Sequence, residues 1–240
     1  MEYRRDMLEG ALRALLAPAS ILWANDLAAR GLEGLSREQQ SDGPVPERLE
    51  VPENGCGFLA PCTTGQKTGW FYDQRADRRE LARYAAGADV LDIFSYVGGF
   101  GVTAAAAGAK SVTFIDASAQ ALDFAAENAA RNAPGCAAQT LCGDAFDLLR
   151  QLRDEGRRFQ VISLDPPAFI KRRKDAALGL AAYRQANDLA VQLLAPGGII
   201  ATSSCSHHLE AQALRACLTQ AAAKRKLHAR RIVPNGDAKG

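Results

Sequence analysis

From about residue 88 onward, short apolar runs alternate with segments in which apolar residues recur at helical spacing. The apolar runs predict buried strands at 89–94, 111–115, 138–141, 159–164 and 198–202. The periodic segments predict helices at 99–107, 118–131, 145–155, 183–194 and 209–223. Strands and helices that alternate five times predict an α/β fold with a doubly wound, mostly parallel sheet. Binding sites of such sheets lie beyond the carboxyl ends of the strands.

The segment ahead of this pattern is less regular. It predicts a helix at 6–16 and short strands at 49–51, 58–60 and 70–72. A chain of 240 residues with 48% hydrophobic composition can bury one substantial core and carry an appendage. We therefore divide the sequence into a helical and β-rich extension at 1–75 and a larger domain at 76–240.

Charge and cysteine content narrow the class of protein only slightly. The net charge of +2 neither requires nor excludes a polyanionic partner, although basic residues cluster at 171–174 and near the C-terminus. Six cysteines without a Cys-x-x-Cys pair, and only three histidines, argue against a metal site. The charged N-terminus and the lack of a long apolar run argue against export or membrane insertion. Free thiols fit a reducing cytoplasm.

A turn rich in small residues follows the first predicted strand and opens a helix. The strand carries Asp92, and the turn contains Ser95, Tyr96, Gly98, Gly99 and Phe100. Glycine lets the backbone approach a ligand closely, and a helix N-terminus offers unpaired N–H groups. The spacing differs from Gly-x-Gly-x-x-Gly, which disfavours a dinucleotide site. A purely structural turn is the alternative.

Carboxylates also follow the second and third predicted strands. Asp116 lies about 20 residues beyond the glycine turn, a spacing at which an acidic side chain accepts hydrogen bonds from ribose hydroxyls. Asp144 could accept a hydrogen bond from an adenine amino group or cap the following helix, and one side chain can do both. These residues favour a nucleoside ligand at this edge of the sheet.

The fourth and fifth predicted strands end in Asp165-Pro166-Pro167-Ala168-Phe169 and in Ser203-Ser204-Cys205-Ser206. Two prolines make a stiff turn that would project the carboxylate and Phe169 over a planar substrate. If these strands are neighbours, Cys205 lies at the same edge as Asp165. Either motif alone has a structural alternative, because Asp-Pro-Pro can simply end a strand and Cys205 can be a buried thiol.

Taken in this order, the motifs resemble those of class I S-adenosylmethionine-dependent RNA methyltransferases, and most closely the bacterial 23S rRNA cytosine-5 methyltransferase family. The resemblance covers residues 20–232 and includes Gly65-Gln66-Lys67-Thr68-Gly69 and Asp73-Gln74-Arg75 ahead of the sheet. It implies a Rossmann-like methyltransferase sheet with a small N-terminal β-rich extension. It also implies a cytoplasmic enzyme with S-adenosyl-L-methionine as cofactor, 23S rRNA as partner and residues 76–240 as catalytic domain.

The resemblance assigns roles to three sets of residues. The catalytic pair is Cys205 and Asp165. Residues expected to contact the cofactor are Lys67, Tyr72, Gln74, Arg75, Asp92, Ser95, Tyr96, Gly98, Gly99, Phe100, Asp116, Asp144 and Asp165. Residues expected to contact the base and the RNA are Pro166, Pro167, Phe169, Lys171 and Arg172. The alternatives are that Asp73 caps a helix, that Arg75 makes a surface ion pair and that the basic cluster is a solvated face.

The chemistry explains the choice of catalytic pair. Carbon 5 of cytosine is a poor nucleophile until another group adds to carbon 6, and a thiolate is suited to that addition. Cys205 would attack carbon 6 while Asp165 hydrogen-bonds the amino edge of the base. A helix beginning near Ser206 would favour the thiolate through its dipole. Two rival interpretations are methylation of an exocyclic amine of guanine or adenine, which needs no cysteine, and a catalytically inactive RNA-binding assembly factor.

The chain departs from the family pattern in three places. It begins with the predicted helix at 6–16, where family members carry an RNA-binding module. It stops at Gly240, where they continue into a strand hairpin, so we expect the last antiparallel strand to be missing. Position 168 is alanine where relatives carry lysine, which removes a positive charge beside the base pocket. An uncovered sheet edge or the first helix could support a homodimer.

Overall fold

The computed structural model describes residues 4–25, 30–31, 34–62 and 69–227. Lys67 lies outside the described residues, and so does the segment 228–240, on which the prediction of a missing final strand falls. The chain forms two compact units that each consist of two segments: Met1–Leu49 with Pro61–Gly69, and Glu50–Ala60 with Trp70–Gly240. The division of the sequence at residue 75 stays a prediction.

The smaller unit contains a helix and a β-hairpin. Helix α1 spans Arg5–Leu16, which confirms the first predicted helix. Strands β1 (Leu22–Asn25) and β2 (Glu38–Ser41) pair antiparallel and were not predicted. Arg5 donates a hydrogen bond to the side chain of Gln40 over 2.7 Å. A polar contact therefore joins the start of α1 to the hairpin of this unit.

The second pair of strands confirms the β-rich character of the extension. Strands β3 (Arg48–Glu53) and β4 (Cys56–Pro61) pair with each other. Between them, Asn54 and Gly55 have φ of 52° and 82°. An Asn-Gly pair adopts such a turn at little cost, because both residues tolerate positive φ. The first two strands predicted ahead of the sheet are thus confirmed.

The third of these predicted strands, at 70–72, is wrong. Residues Tyr72–Gln74 form a short 3₁₀ turn that leads directly into helix α2 (Arg75–Ala82). The carbonyl oxygen of Phe71 accepts a hydrogen bond from the Arg78 guanidinium over 2.6 Å. The Arg78 side chain therefore satisfies a backbone carbonyl that a neighbouring strand would otherwise bond. The periodicity of apolar residues does not reveal such a contact.

The central sheet of the larger unit has five described strands, which pair in parallel. They are β5 (Asp89–Ile93), β6 (Ser111–Asp116), β7 (Ala137–Cys142), β8 (Phe159–Leu164) and β9 (Leu194–Thr202), in the order β7-β6-β5-β8-β9. The helices that follow them are α3 (Gly99–Ala106), α4 (Ala119–Asn132), α5 (Ala145–Asp154), α6 (Ala176–Leu193) and α7 (Ala211–Lys224). The predicted α/β fold with a doubly wound parallel sheet is confirmed.

The hydrophobic core lies on both faces of this sheet. Along β5, Val90 packs in one cluster with Phe58 and Phe114, whereas Leu91 and Ile93 pack in a second cluster. These three β5 side chains are each at most 1% exposed. Parallel strands that are buried on both faces are continuously apolar. This is why β5, β6 and β8 could be recognised as short apolar runs.

One edge of β4 is covered by asparagine side chains from α4 instead of by a strand. Asn128 accepts the backbone N–H of Leu59 over 2.7 Å and donates to its carbonyl over 2.9 Å. Asn132 makes the same two bonds with Gly57, over 2.8 and 3.1 Å. An amide side chain carries both an acceptor and donors, so it can imitate the backbone of a neighbouring strand. The hairpin is thereby fixed to the central sheet through α4.

Helix α6 and strand β9 begin several residues ahead of their predicted starts. Helix α6 begins at Ala176 rather than at 183, and it includes Gly179. A Cβ atom at Gly179 would lie 2.7 Å from the carbonyl oxygen of Phe169, so glycine allows the helix to pack closely against that loop. Strand β9 begins at Leu194 rather than at 198, because the Pro-Gly-Gly sequence is accommodated as an irregularity in its pairing with β8.

Candidate active site

The loop after β5 has an unusual backbone. Phe94 and Tyr96 have φ of 61° and 50°, and Gly98, the N-cap of α3, has φ of 85°. Positive φ is costly for residues other than glycine and is concentrated at functional loops. A Cβ atom at Gly101 would lie 2.4 Å from the ring of Phe114, so α3 needs glycine there to approach β6. This loop and the start of α3 bring together the predicted Ser95, Tyr96, Gly98, Gly99 and Phe100.

Asp92 supports this loop from within the sheet. Its side chain is 1% exposed and accepts hydrogen bonds from the backbone N–H of Gly101, over 2.8 Å, and from the hydroxyl of Ser163. Burial raises the pKa of Asp92 from 3.8 to about 6, although both hydrogen bonds act to lower it. Since the side chain is buried and both of its donors lie within the protein, we interpret Asp92 as a support of the turn.

Asp116 and Asp144 lie at the carboxyl ends of β6 and β7. Asp116 accepts hydrogen bonds from the backbone N–H groups of Tyr96 and Ser118, each over 2.9 Å. Asp144 is exposed and caps α5, where it accepts the N–H of Asp147 over 3.1 Å. The capping role considered for Asp144 is therefore confirmed, and its contact with a ligand stays a prediction.

The hydroxyl of Ser95 has no hydrogen-bond partner among the described residues. The side chain is only 6% exposed. A buried polar group without a partner costs free energy unless a ligand or a water molecule satisfies it. Ser95 therefore marks a place in the loop where a polar ligand would be stabilised.

Asp165, at the end of β8, is half-buried and held by two donors. Gln74 donates from Nε2 to its Oδ2 atom over 2.6 Å, and the hydroxyl of Ser203 donates to Oδ1. Ser203 follows β9, the strand beside β8. The structure thus brings Gln74 to Asp165, as expected for two residues of one site. Tyr72 and Arg75 are exposed, and the N-cap of α2 is Gln74 rather than Asp73.

A buried ion pair lies next to Gln74. Arg78 donates to Gln74 Oε1 over 3.2 Å and binds both carboxylate oxygens of Glu53, over 2.7 and 3.0 Å. Glu53 also accepts the indole N–H of Trp70 over 3.0 Å, and both charged side chains are 3% exposed. Sequence reasoning missed this pair. The four-residue spacing of Gln74 and Arg78 was a signal for their own hydrogen bond but carried no information about Glu53.

Cys205 lies in the loop after β9 with an exposed side chain. Its Sγ atom is 3.9 Å from the carbonyl oxygen of Pro166, the residue that follows Asp165. The alternative of a buried thiol is therefore wrong for Cys205. The two motifs that end β8 and β9 meet at one edge of the sheet.

The helix expected near Ser206 begins later, at Ala211, so the predicted effect of its dipole on Cys205 is wrong. The backbone N–H of Ser206 donates to the hydroxyl of Ser204 over 3.1 Å. Serine hydroxyls that bind nearby backbone groups compete with helix formation. The loop that carries Cys205 is consequently shaped by its own serines.

The residues expected to contact the base follow Asp165 along one loop. Pro166 is buried and Pro167 is exposed. Phe169 is half-buried, and its ring packs against three aromatic rings, those of Phe94, Phe146 and Tyr183, with centroid separations of 6.2, 6.0 and 4.9 Å. The position of Phe169 is thus set by an aromatic cluster, and the residue remains partly exposed.

The basic residues after this loop lie on the surface. Lys171 and Arg172 are exposed, and so are the next two basic residues at 173 and 174. Arg172 forms an ion pair with Asp175 over 3.0 Å. Part of the cluster is therefore paired within the protein, and Lys171 lies closest in sequence to the Asp165 loop.

Over 4–25, 30–31, 34–62 and 69–227, no group of three or more His, Cys, Asp or Glu side chains could hold a metal ion. Within the same ranges, no helix has the length and apolar character needed to cross a membrane. All six cysteines have free thiols.

The sequence is similar to a known protein family and to individual proteins. A model of the S-adenosylmethionine-dependent methyltransferase family matches residues 32–228. Ribosomal RNA large subunit methyltransferase I of Aeromonas salmonicida is 39% identical over 224 residues, which cover 92% of this chain and 57% of the relative. The enzyme of the same name from Klebsiella pneumoniae (strain 342) is 40% identical over 211 residues, which cover 85% and 52%. The chain spans little more than half the length of these relatives.

Solved structures with a similar fold include two methyltransferases. One, a SAM-dependent methyltransferase from Streptococcus mutans, has a TM-score of 0.77 at 23% identity and covers 93% of this chain and 57% of that one. The other was solved in complex with SAH and has a TM-score of 0.66 at 27% identity. It covers 75% of this chain and 47% of that one. At 23% identity the first likeness concerns the fold alone.

Proposed function

The chain belongs to the S-adenosylmethionine-dependent methyltransferase family, and on that premise we propose that it methylates carbon 5 of a cytosine in large-subunit ribosomal RNA. Membership confirms S-adenosyl-L-methionine as the predicted cofactor. The names of the relatives support ribosomal RNA, and therefore a cytoplasmic site of action. The choice of carbon 5 rests on one observation, the exposed Cys205 thiol 3.9 Å from the carbonyl oxygen of the residue after Asp165.

The residues around the glycine turn fit the cofactor. Ser95 offers a buried hydroxyl that no described residue satisfies. Asp116 has accepted two backbone N–H groups, and a carboxylate has about four acceptor positions, so ribose hydroxyls can use the remaining ones. When bound, S-adenosylmethionine supplies an electrophilic methyl group. The residues we expect to hold it are Ser95, Tyr96, Gly98, Gly99, Phe100, Asp116 and Asp144 around the turn, with Lys67, Tyr72, Gln74, Arg75 and Asp165 beside it.

Asp92 serves the same site indirectly. Its carboxylate fixes the N–H of Gly101 in the first turn of α3, so it determines where the loop before α3 lies. The loop contains two residues other than glycine with positive φ, which only a well-supported backbone maintains. We therefore propose that Asp92 positions the cofactor loop and does not itself contact the cofactor.

Cys205 and Asp165 divide the activation of the base between them. As the Cys205 thiolate forms a bond from Sγ to carbon 6, the electron pair of the carbon 5–carbon 6 double bond moves toward carbon 5. Asp165 is oriented by Gln74 and Ser203 and accepts a hydrogen bond from the amino group of the base. Loss of the proton from carbon 5 later allows the Sγ–carbon 6 bond to break and the double bond to form again.

The loop after Asp165 is suited to hold an extruded base. Enzymes that act on a nucleobase take it out of the stack and bind it between aromatic or apolar side chains. Pro166, Pro167 and Phe169 provide such surfaces next to the catalytic pair. Lys171 and Arg172, exposed beyond them, are placed to contact the phosphates of the same RNA segment.

Trapping with RNA that carries 5-fluorocytosine tests this proposal. Fluorine at carbon 5 cannot leave as a proton does, so a cysteine that has added to carbon 6 stays attached. We expect a covalent RNA adduct with the wild-type protein and none with Cys205→Ala, which should still bind S-adenosylmethionine. Cys136→Ala is the control, because Cys136 lies just before the first residue of β7, at the end of that strand away from the site. Methyl transfer that persists in Cys205→Ala would refute the covalent route.

Methylation of an exocyclic amine is the second candidate, and it is favoured by the arrangement of Asp165 and Phe169 at the end of β8. An amine needs an acceptor for its proton and a surface for its base, but no thiol. Under this candidate, Cys205→Ala retains turnover and the product carries the methyl group on nitrogen. An RNA-binding protein without catalytic activity would bind the cofactor and leave ribosomal RNA unlabelled by a radioactive methyl group.

A further inference from the structure

Tyr183 lies under the loop that carries Cys205. It belongs to α6, and its side chain is fully buried, with 0% exposure. The hydroxyl of Ser204 donates to the Tyr183 hydroxyl over 2.7 Å, and the hydroxyl of Ser206 lies 2.9 Å from the same oxygen. Ser204 and Ser206 are the two neighbours of Cys205. One buried phenol therefore holds the chain on both sides of the thiol.

The hydroxyls of Ser204, Tyr183 and Ser206 form a short chain of hydrogen bonds. Ser204 donates to Tyr183. A tyrosine hydroxyl can donate its single proton and can also accept. Either oxygen can therefore be the donor between Tyr183 and Ser206, and both arrangements link the phenol to the two serines.

Tyr183 also reaches the loop that follows Asp165. The hydroxyl of Ser206 accepts the backbone N–H of Ile170 over 3.1 Å. The ring of Phe169 packs edge-on against the ring of Tyr183, with 4.9 Å between centroids. The same buried side chain therefore contacts the loop after β8 through its ring and the loop after β9 through its hydroxyl. Tyr183 therefore joins the two loops from beneath, in addition to the hydrogen bond between Ser203 and Asp165.

We propose that Tyr183 is a positioning residue that fixes Cys205 relative to the base-binding loop. This inference rests on the proposed function of Cys205. Residues 203–206 have no regular secondary structure, so helix or strand hydrogen bonds do not hold the thiol in place. Tyr183 supplies that restraint from below the surface, without contact with the substrate. A nucleophile that is displaced by about 1 Å loses much of its rate, on the order of 100-fold.

Tyr183→Phe is the variant that tests this inference, because it removes the hydroxyl and keeps the ring that packs on Phe169. Tyr84→Phe is the matched control, since the Tyr84 hydroxyl donates to Glu80 over 3.2 Å near the end of α2. We expect kcat for methyl transfer to fall about 10- to 100-fold in Tyr183→Phe. The affinity for S-adenosylmethionine and the KM for RNA should stay within a factor of two, and Tyr84→Phe should match the wild type.

Alkylation by iodoacetamide in the absence of RNA gives a readout that does not depend on catalysis. Mass spectrometry would follow the rate at Cys205 relative to the rate at exposed Cys142 in the same molecule. We expect this ratio to rise in Tyr183→Phe, because a released loop moves the thiol away from Pro166 and into solvent. If both the ratio and kcat match the wild type, the inference is overturned.

The two proposals can fail separately. If wild-type protein forms no adduct with 5-fluorocytosine RNA, the proposed function fails, and the alkylation ratio still decides whether Tyr183 positions Cys205. If Tyr183→Phe does not fold, Ser204→Ala removes the other half of the same hydrogen bond. Its alkylation ratio should rise as well, and an unchanged ratio in a folded Ser204→Ala protein would overturn the inference.

Discussion

Gln74 donates a hydrogen bond from Nε2 to Oδ2 of Asp165 over 2.6 Å, across 91 positions of the sequence. The orientation of this amide is fixed, because its oxygen accepts from Arg78 and a guanidinium can only donate. Arg78 is held in turn by Glu53. The Asp165 carboxylate is thereby connected through Gln74 to the buried ion pair of Arg78 and Glu53.

Gln74→Glu should inactivate the enzyme more strongly than Gln74→Ala. The new carboxylate would replace a donor with an acceptor 2.6 Å from Asp165, and two carboxylates so close repel each other unless one binds a proton. We expect kcat for methyl transfer to fall by at least about tenfold, which corresponds to about 1.4 kcal/mol of transition-state stabilisation. Single-turnover kinetics with methyl-labelled cofactor would measure it.

Gln151→Glu is the control for this change. Gln151 donates to Glu155 over 2.8 Å on the exposed face of α5, so the same substitution creates the same kind of repulsion far from the site. Its turnover should match the wild type. Equal activity of Gln74→Glu and Gln151→Glu would show that the contact with Asp165 has no role in catalysis.

Arg78→Met should destabilise the fold. It leaves the Glu53 carboxylate buried without its ionic partner, and breaking a buried pair in this way typically costs about 3–5 kcal/mol. Urea denaturation would measure the free energy of unfolding. Arg150→Met, which breaks the surface pair with Asp147, should cost less than about 1 kcal/mol. Adding Glu53→Gln to Arg78→Met should recover part of the loss, and a double variant weaker than Arg78→Met would contradict this explanation.

The stability contributed by Asp92 should depend on pH. Burial holds the pKa of Asp92 at about 6, above its ordinary 3.8, so the folded protein binds this proton more tightly than the unfolded chain does. The contribution to the free energy of unfolding is therefore largest below about pH 4 and falls as the pH rises to about 6. The total change is about 3 kcal/mol.

Urea denaturation of wild type and Asp92→Asn between about pH 4 and pH 7 would measure that contribution. The stability of the wild type relative to the variant should decrease across this interval and level off above it. Asp154→Asn serves as the control. Arg153 lowers the pKa of the exposed Asp154 carboxyl, so any change in stability from its titration falls at more acidic pH. Parallel pH profiles for wild type and Asp92→Asn would rule the prediction out.

The fold and the edge of the sheet that carries the site could be predicted because their signals are local. Strands buried on both faces form apolar runs, and the glycine turn and the Asp165 and Cys205 motifs each occupy a few consecutive residues. The ion pair of Arg78 and Glu53 could not be predicted, because its members are 25 positions apart and charged residues are usually exposed. The homodimer stays a prediction.

Two predicted helix starts, at 183 and near Ser206, are wrong for a related reason. Gly179 lies inside α6 because a neighbouring loop passes too close for a side chain, which only tertiary packing determines. Ser206 fails to start a helix because serine hydroxyls, and the buried Tyr183 beneath them, bind the chain locally. In both cases a contact with a distant segment overrides the local preference of the sequence.

The covering of β4 by Asn128 and Asn132 has a consequence for how the protein is made. The hairpin is synthesised before α4, and the amides that satisfy its edge follow 69 and 75 residues later. Until α4 has been synthesised, that edge is open to pairing with other chains, as unpaired strand edges are during folding. The hairpin can therefore complete its hydrogen bonding only after α4 has been synthesised and has folded against it.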